Sequence, residues 1–483
     1  MIPAPAVNFG VLGPTLVLLA AALLVLALDM LPPRRDKTHL AVVALAGVIG
    51  ALLVALTRWG RGTRGFRDMV VLDNYALFVD VVICYAVALV ILLSMDYLRR
   101  AGIASGEYYA LVLFSASGMM LMASANDLVV VFLALELMSL CLYVLAGLFK
   151  QRLDSGEASM KYFLLGAFAS SFLLYGIALT YGATGSTSFD KIARVAAAGG
   201  ARDVVFLVGL GLILVGLGFK ISAAPFHMWA PDVYQGAPTS VTALIATGSK
   251  AAGFAALIRL LLGAVKGAQP DWNPLMWVLA AVTMTVGNVV AIAQSNLKRM
   301  LAYSSVAHAG YMMVGLVAGG QAGAGAILYY LFAYTFTTIG TFGVITLCER
   351  AGEEAVELAD YAGLGRRHPL LAGMLTLFLL SLVGIPPLAG FVGKFYLFGA
   401  AVQGGYLWLV VIAVLNSAIA AYYYLKVIVF MYMREPEGVA AGWAPSFAGG
   451  VALAVAAIGI VLLGVMPAPF AELAQTAVAP LVR

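Results

Sequence analysis

The chain has 483 residues, of which 63% are hydrophobic and only 11% are charged, with a formal net charge of +5. Soluble domains carry about a quarter charged residues, so this composition excludes an ordinary soluble protein. The apolar stretches are long and continuous rather than alternating, which disfavours a transmembrane β-barrel. We therefore expect an all-α polytopic membrane protein.

A helix needs roughly 20 apolar residues to cross a bilayer, and the sequence predicts about fourteen such spans. In chain order they cover residues 13–31, 39–57, 75–95, 107–125, 127–149, 158–181, 203–223, 238–262, 274–294, 298–317, 322–348, 369–401, 406–433 and 449–467. The seventh and the twelfth are interrupted, at Pro225 and at Pro386-Pro387. Proline removes a backbone donor, so at bilayer depth each break must be satisfied by surrounding protein or by a cavity.

The lysines and arginines of the loops predict the orientation. Loops after odd-numbered spans carry thirteen of them, and the other side carries nine, including Arg58, Arg61, Arg64 and Arg67. Since positively charged loops remain in the cytoplasm, this bias places both chain termini outside. Residues 1–13 lack a positively charged segment, so we expect no cleavable signal peptide.

Two stretches of the chain look like copies of one five-helix unit. Asn126-Asp127-Leu128 opens the fifth span and Asn296-Leu297-Lys298 opens the tenth, and each unit has a proline-broken helix in fourth place. A shift of five helices gives the copies opposite topology, which is typical of transporters with sites at helix breaks. The chain is thus predicted to be a single membrane domain, residues 1–483. Its parts are three helices in 1–106, inverted repeats in 107–262 and 274–433, and a last helix with its tail in 449–483.

Four charged residues lie inside apolar segments: Glu136, Lys220, Lys250 and Lys394. A charge at bilayer depth costs at least ~2.5–3.5 kcal/mol, so such residues usually pair or line a water-filled path. Burial disfavours a charged lysine and a nearby carboxylate favours it, so a lysine balanced between the two changes protonation when its partner moves. We hypothesise that Glu136 controls Lys220, that Lys250 passes the proton on, and that Lys394 releases it outward.

Each of these residues also has a structural alternative. Glu136 would be a static counter-ion that fixes helix packing, and Lys220 would cap free carbonyls at its helix break. Lys394 would extend its ammonium towards the membrane surface, and the same alternative holds for Lys161 in the sixth span. His308 lies near the middle of the tenth span and is either a hydrogen-bonded core residue or part of the proton path.

Other features carry weaker signals. Asp80 lies near an end of the third span, so an interfacial position is expected. The polar segment 349–369 is either a solvated surface helix or a docking site for another subunit. Cys84, Cys141 and Cys348 have no metal-ligand spacing, so we expect packing residues without a disulfide.

Several classes of cofactor-dependent chemistry have no motif in this chain. The sequence contains no GxxxxGK[ST] phosphate-binding loop, no HExxH zinc motif and no cysteine cluster for an iron–sulfur centre. No soluble α/β stretch offers a strand followed by a GxGxxG turn. The sequence therefore predicts no cofactor and no metal in this chain, and its partners are expected to be lipid, protons and other subunits rather than nucleic acid.

Three long motifs resemble the antiporter-like membrane subunits of the proton-pumping NADH:quinone oxidoreductase, respiratory complex I. They are GLGFKISAAPFHMWAPDVYQGAP, NLKRMLAYSSVAHAGYM and LSLVGIPPLAGFVGKFY. The phrase PFHMWAPDVYQGAP, the lysine of ATGSK and the run EASMKYFLLGAFASSFLLYG look like the subunit N branch of this family. The likeness covers the third to the thirteenth span. It implies fourteen helices with a proton half-channel in each inverted repeat, joined by an axis of charged residues.

The resemblance also implies roles for individual residues. Glu136 looks like the glutamate of the family's fifth helix, and Lys220 looks like the lysine of the seventh helix that pairs with it. Lys250 looks like the connecting lysine of the eighth helix, and Lys394 like the terminal lysine of the twelfth. Lys161 looks like the lysine of the sixth helix that modulates Lys220. All five positions carry the residue type that the family pattern requires, which argues against a family member that has lost its functional residues.

By this resemblance the chain would be a proton-translocating subunit of complex I in the bacterial plasma membrane. It would bind no cofactor itself, because NADH, FMN, iron–sulfur clusters and the quinone would be bound by other subunits. Its partners would be other membrane-arm subunits, including the antiporter-like subunit M and small membrane subunits. Two alternatives stay open: a Mrp-type cation/proton antiporter subunit, and a structural scaffold of the membrane arm.

Overall fold

A computed structural model confirms the all-α polytopic membrane fold and describes residues 8–31, 37–103, 106–198, 203–350, 353–435 and 442–482. The helices in chain order are α1 Gly13–Asp29, α2 Thr38–Thr57, α3 Asn74–Arg100, α4 Gly106–Ser124, α5 Leu128–Ala146, α6 Leu153–Thr184, α7 Phe189–Ala197, α8 Val204–Ile221, α9 Ala230–Gly236, α10 Thr239–Ala264, α11 Gln269–Ile292, α12 Leu297–Ala318, α13 Gly320–Thr346, α14 Leu364–Arg367, α15 Pro369–Val383, α16 Ala389–Gln403, α17 Leu407–Met433, α18 Phe447–Val465 and α19 Pro467–Val482. The short strands are β1 Thr63–Gly65, β2 Val70–Leu72, β3 Cys348–Arg350, β4 Glu353–Glu354 and β5 Gly442–Trp443.

Twelve helices in the described part of the chain are long and apolar enough to cross a membrane. They account for every predicted span except the fourth and the twelfth. The fourth corresponds to α4, and the twelfth is divided by its break into α15 and α16, each 15 residues and thus about 22 Å long. Because neither half reaches across a bilayer by itself, the two must act as one discontinuous span. The exact total of fourteen crossings stays a prediction.

Both described ends of the chain lie on the same side of the helix bundle. We call the side at which α1 begins the N side, and the other the far side. Asn8, just before α1, donates to the Arg64 carbonyl at 3.3 Å. Pro480 of α19 lines the same cavity as Arg64, so α19 also lies on the N side.

Both predicted helix breaks are confirmed. Helix α8 ends at Ile221, and helical structure resumes at Ala230 after a turn that contains Pro225. Helix α15 ends at Val383 and is capped by Gly384, whose φ of 93° is a left-handed conformation that glycine adopts without steric cost. The freed backbone groups therefore lie inside the protein, next to two of the buried lysines.

Helix α10 contains two irregular turns that hydrophobic periodicity did not predict. Ile245–Ser249 and Arg259–Ala264 are π-helical, and they flank the α-helical segment Lys250–Ile258. π-Turns are rare and occur frequently at functional sites. Here they place Lys250 directly after one irregular turn and Arg259 at the start of the other.

The same backbone contacts recur in the two halves of the chain. At the start of α5 the Leu128 amide donates to the Thr187 carbonyl, on the N side. At the start of α12 the Leu297 amide donates to the Val356 carbonyl, on the far side. Each residue of the second pair lies 169 positions after its counterpart in the first. Equivalent contacts on opposite sides support the inverted relation.

Close helix packing repeats with the same offset. Gly118 of α4 lies against the backbone of Met138 on α5, where an added Cβ would approach within 2.6 Å. Gly287 of α11 lies against Ala307 on α12 at the same 2.6 Å. The two glycines again differ by 169 positions, as do their partners. The boundaries of the two repeats stay predictions.

One of the two interpretations of the polar segment 349–369 is wrong. The segment 349–369 does not form a surface helix: its start contributes to the sheet β4-β3-β5, and a short 3₁₀ turn, Leu358–Tyr361, follows. Residues 351 and 352 lie outside the described residues. Asp80 is the seventh residue of α3, and its side chain is only 2% exposed, so it is enclosed by protein; its interfacial depth stays a prediction.

Candidate functional site

Three lysines of the predicted proton path are enclosed by protein rather than by lipid. Lys220, Lys250 and Lys394 are 3%, 1% and 5% exposed. Each lies at or beside an irregularity of its helix: Lys220 in the last turn of α8, Lys250 directly after a π-turn of α10, and Lys394 in the first turns of α16 after the break. Irregular backbone is tolerated at membrane depth where it is buried in protein or lines a polar cavity, so the breaks and the charges belong to one interior.

Lys220 is surrounded by aromatic rings. Its ammonium nitrogen lies 5.2 Å from the Tyr162 ring centroid, 5.3 Å from that of Tyr143 and 5.6 Å from that of Phe219. Tyr162 is fixed by stacking on Trp229 at 4.5 Å, which brings the helix break into the same cluster. The ammonium has no hydrogen-bond partner among the described residues. The alternative that Lys220 caps free carbonyls is therefore wrong.

Glu136 lies on α5 and accepts a hydrogen bond from the Ser170 hydroxyl of α6. Within the described part of the chain, no ion pair or hydrogen bond joins Glu136 to Lys220. Glu136 is partly exposed, unlike the lysine. The two predicted partners therefore make no direct contact, but they are close enough to interact electrostatically.

Several buried polar atoms between Lys220 and Lys250 lack a partner. The hydroxyls of Tyr143, Tyr162 and Ser249 make no hydrogen bond to a described residue. Ser249 immediately precedes Lys250 and lies next to the Tyr162 hydroxyl. Buried polar groups are normally hydrogen-bonded, and internal waters commonly supply the partner. These hydroxyls are therefore polar groups that lie near the two lysines and are available to bind internal water.

Lys250 is bound by the second half of the chain. Its ammonium donates to both the carbonyl and the hydroxyl of Ser305 on α12. The Tyr334 hydroxyl also donates to the Ser305 hydroxyl, at 3.0 Å, and the Tyr234 hydroxyl lies 3.1 Å from it. The Lys250 ammonium is 5.6 Å from the Tyr334 ring centroid. The Ser305 hydroxyl thus lies within hydrogen-bond distance of one ammonium group and two tyrosine hydroxyls.

His308 follows Ser305 by one helical turn. Its Nδ1 lies 2.6 Å from the Tyr330 hydroxyl of α13, and its Nε2 lies 3.1 Å from the Tyr424 hydroxyl of α17. The Tyr334 ring lies 5.3 Å from the imidazole. Both ring nitrogens therefore face groups that donate and accept protons, and the imidazole bridges three helices.

Lys394 is held at the break of its own helix. Its ammonium donates to the carbonyls of Leu382 and Val383 at 3.0 and 2.9 Å, and lies 4.8 Å from the Tyr311 ring centroid. These are the last carbonyls of α15, so Lys394 serves the capping role considered for Lys220. The alternative that Lys394 reaches the membrane surface is wrong, because the side chain is buried.

Two asparagines extend the polar interior and were missed from the sequence. Asn288 of α11 donates to the Tyr311 hydroxyl at 2.9 Å and accepts from the Tyr423 hydroxyl at 3.0 Å. It also donates to Asn416 of α17 at 3.3 Å. Their position inside apolar spans could have indicated a polar interior. Charged residues are the clearer signal, because an uncharged amide costs less free energy at bilayer depth than a lysine does.

Lys161 does not contact Lys220. Its ammonium forms ion pairs with Asp232 of α9 at 2.7 Å and with Glu157 at 2.6 Å. Asp232 also binds Arg299 of α12 at 2.7 Å. Lys161 therefore connects α6 to the segment that follows the break of α8, and Asp232 is a charged residue that the sequence prediction missed.

A second charged cluster lies at the far side, around Glu354. The carboxylate accepts hydrogen bonds from Tyr97 of α3 and from Thr239 at the start of α10. Lys298 of α12 lies 3.4 Å from it, and Arg152 lies 3.8 Å away. Burial raises the pKa of the Glu354 carboxyl, but the Lys298 ammonium and these hydrogen bonds outweigh it and hold the pKa below its usual range.

The three cysteines are free and buried. Among the described residues, no three His, Cys, Asp or Glu side chains are grouped so that they would hold a metal ion. The interior therefore offers hydroxyls, amides, ammonium groups and one imidazole, which are groups that bind and transfer protons.

Comparison with known proteins identifies the family. The profile of the family described as NADH:quinone oxidoreductase/Mrp antiporter, TM, matches residues 125–420, more than half of the chain. The chain belongs to this family. Within it, the predicted likeness to the subunit N branch is confirmed by full-length relatives. NADH-quinone oxidoreductase subunit N of Trichlorobacter lovleyi is 50% identical over 473 residues, which cover 98% of this chain and 97% of that protein.

Other members of the family show the same extent of similarity. NADH-quinone oxidoreductase subunit N of Chloroflexus aggregans is 45% identical over 98% of this chain and 97% of its own length. A chain of respiratory complex I from Thermus thermophilus is 36% identical, with a TM-score of 0.81 over 96% of this chain and 99% of that one. A chain of the Mrp complex from Dietzia has a TM-score of 0.85 over 98% and 97% at 22% identity, a likeness of fold.

Proposed function

We propose that this chain is a proton-translocating membrane subunit of a bacterial NADH:quinone oxidoreductase. The observation that carries the proposal is the buried row of groups from Lys220 to Lys394, in which hydroxyls, a serine carbonyl and an imidazole lie between the lysines. Membership in the subunit N branch supports the coupling to NADH oxidation. These two observations are independent, because the buried row is a feature of the geometry whereas membership in the branch comes from comparison of whole sequences.

In the first half of the chain, Glu136 acts as the control group for Lys220. The two make no direct contact here: ring faces surround the ammonium, and the carboxylate acts on it only from beyond hydrogen-bond distance. A lysine in such a site releases its proton when its counter-ion withdraws and regains one when the counter-ion returns. Lys161 forms an ion pair with Asp232 of α9 and thereby holds in place the segment that follows the break of α8. This segment lies next to the Lys220 site, where the proton is exchanged.

In the second half, protons pass from Lys250 through Ser305 and His308 towards Lys394. Ser305 accepts from Lys250, and the hydroxyls of Tyr330 and Tyr424 contact the two imidazole nitrogens. An imidazole can take a proton at one nitrogen and lose it at the other. Lys394 ends the row, one turn inside the α16 segment.

The chemistry of NADH oxidation takes place elsewhere in the complex. NADH, FMN, the iron–sulfur clusters and the quinone would be bound by other subunits, and the energy would reach this chain through its contacts in the membrane arm. Its expected neighbours are antiporter-like subunit M and small membrane subunits. The positive-inside bias places the far side in the cytoplasm and both termini outside.

A Lys250→Ala variant tests the proposal. In vesicles with assembled complex we expect NADH oxidation and the resulting proton gradient both to fall severalfold, because the link between the two halves is lost. Lys426→Ala is the matched control, since Lys426 of α17 also lies in a membrane helix but takes no part in the buried row. It should leave both activities unchanged.

Other outcomes would favour the alternatives. If Lys250→Ala left NADH oxidation and its gradient intact but abolished sodium-dependent proton exchange, a Mrp-type antiporter would be the better account. If neither activity changed in assembled complex, the chain would be a scaffold of the membrane arm.

A further inference from the structure

The segment 229–236, which follows the break of α8 and contains α9, begins at the Lys220 site; we call it the post-break segment. Trp229 stacks on Tyr162 with ring centroids 4.5 Å apart, and the Tyr162 ring centroid lies 5.2 Å from the Lys220 ammonium. The Trp229 indole also donates to the carbonyl of Phe219 at 3.0 Å, the residue directly before Lys220. The start of the post-break segment therefore holds in place a ring face against which Lys220 lies.

The other end of the post-break segment contacts the site of Lys250. The hydroxyl of Tyr234 lies 3.1 Å from that of Ser305 on α12, and Ser305 accepts a hydrogen bond from the Lys250 ammonium. The Tyr234 carbonyl accepts from the Thr242 hydroxyl of α10 at 3.1 Å. A displacement of this segment would therefore change the surroundings of Lys250 as well as those of Lys220.

Asp232 lies between these two ends, and its carboxylate binds one cation from each half of the chain. Its Oδ2 accepts from Lys161 of α6 at 2.7 Å, and its Oδ1 accepts from Arg299 of α12 at 2.7 Å. Arg299 also donates to Gln235 at 3.0 Å. A single exposed ion pair contributes little, whereas several charges in a network contribute more. The carboxylate thus ties the post-break segment to α6 and α12 at once.

The packing of the post-break segment favours movement as a unit. Trp229 and Tyr234 are both buried, and Gly236 lies against the backbone of Asp154, which leaves no room for a Cβ. Closely packed elements change between discrete arrangements rather than deforming continuously. A shift at one end of the segment is therefore expected to reach the other.

We propose that Asp232 is a positioning residue that couples the Lys220 site to the Lys250 site through the post-break segment. This inference rests on the proposed function. While both ion pairs of Asp232 are closed, Trp229 and Tyr234 keep their contacts at the two sites. Opening of either ion pair releases the segment and alters both sites together. Asp232 itself carries no proton along the path.

The test uses Asp232→Asn and Asp232→Glu in vesicles matched for assembled complex. Asparagine keeps the size of the side chain but removes its charge, whereas glutamate retains the charge. We expect NADH oxidation and the proton gradient to fall severalfold with Asn and to recover for the most part with Glu. Asp96→Asn is the matched control, because Asp96 also lies near the far side but pairs with Arg99 of its own helix α3. It should leave both activities unchanged.

A double-mutant cycle separates coupling from a loss of stability. Tyr234→Phe removes the hydroxyl that contacts Ser305. If Asp232 acts through the post-break segment, Asp232→Asn should lower the activity of this variant by a smaller factor than it lowers that of the wild type. A purely structural role would instead reduce the amount of assembled complex and leave the activity of each complex unchanged. If Asp232→Asn does not assemble, Arg299→Gln takes its place in the cycle.

Wild-type activities in the assembled Asp232→Asn complex would overturn the proposal, and so would independent, multiplicative effects in the cycle. If Lys250→Ala lowers both activities while Asp232→Asn does not, the coupling through the post-break segment fails but the proposed function stands. If neither variant has an effect, the proposed function fails as well.

Discussion

Lys220 and Lys394 both lie at helix breaks, but their ammonium groups have different neighbours. Lys394 donates to two carbonyls of the preceding helix, and hydrogen bonds that involve a charged group contribute about 1.5–3 kcal/mol. Lys220 faces ring surfaces, and a cation–π contact contributes about 0.5–2 kcal/mol. The charged form of Lys220 therefore depends more strongly than that of Lys394 on a nearby carboxylate. This is what we expect if Glu136 controls the protonation of Lys220.

The rings around Lys220 give a prediction at this scale. Tyr162→Leu removes a ring face beside the ammonium, so we expect NADH-driven proton transport to fall severalfold. Tyr162→Phe retains the ring and should keep more of the activity than leucine does. Transport is measured in vesicles matched for assembled complex. Equal transport by the two variants would show that the ring face has no part in stabilising the lysine.

At the scale of the helices, the sequence predicted the positions of breaks and charges better than the contacts of side chains. Prolines fix where a helix loses its backbone donor, so the breaks after Ile221 and Val383 followed from Pro225 and Pro386. The direction of each lysine did not follow, because it depends on neighbours that are distant in sequence. Lys394 reaches carbonyls eleven and twelve residues away, whereas Lys220 meets rings from α5 and α6.

The predicted inverted repeat relates Glu136 to a residue of the second half whose importance the sequence did not indicate. With the offset of 169 positions observed in the backbone contacts, Glu136 corresponds to Ser305. One repeat has a carboxylate at this position and the other has a hydroxyl that binds Lys250. The residue types at these two positions therefore differ, although the backbone contacts around them recur with the same offset.

The Glu354 cluster was hidden for a similar reason. A polar segment with several acidic residues is typical of a solvated surface, and nothing local indicates that one carboxylate turns into the bundle. Glu354 joins the ends of α3, α10 and α12. These helices belong to different parts of the chain, so the contact exists only once the whole bundle has formed.

Loss of this carboxylate should destabilise the far side of the bundle. Removing one partner of a buried ion pair costs about 3–5 kcal/mol, so Glu354→Gln should lower the unfolding temperature measured by thermal denaturation of the complex. Lys298→Met added to it should restore part of the loss, since no unpaired ammonium remains. Full additivity of the two single changes would contradict a direct interaction.

The same pair predicts a pH dependence with a defined sign. Because the folded-state pKa of Glu354 is depressed, the pair contributes its stability above the ordinary glutamate pKa of about 4.3. That contribution disappears as the pH falls through the depressed folded-state pKa. Wild-type complex should thus lose more stability on acidification than Glu354→Gln, and parallel curves for the two would be inconsistent with this assignment.

At the scale of the whole molecule, both described ends lie on one side, and the two halves of the chain meet at Lys250, which is carried by α10 and bound by α12. Most of the apolar spans were readable from the sequence because length and hydropathy determine them, while the total of fourteen stays a prediction. The contact between the two halves could not be predicted from the sequence, because it depends on Ser305. Serine is a common, uncharged residue, so nothing in the sequence marks this position. The side of the membrane on which the termini lie stays a proposal.

Cysteine labelling tests the orientation. Native Cys84, Cys141 and Cys348 are buried, so a membrane-impermeant maleimide should react little with the wild type. We expect Arg61→Cys, exposed on the N side, to be labelled from outside intact cells, and Lys150→Cys, exposed on the far side, only after permeabilisation. The reverse pattern would invert the proposed topology.

The central claim is that Lys220 lies in a proton path coupled to NADH oxidation. The most direct measurement compares NADH oxidation and the proton gradient in vesicles carrying Lys220→Ala with those of the wild type, at equal amounts of assembled complex. The account predicts that both fall severalfold, while Lys150→Ala on the surface leaves both unchanged. Wild-type oxidation and a wild-type gradient in the assembled Lys220→Ala complex would contradict it.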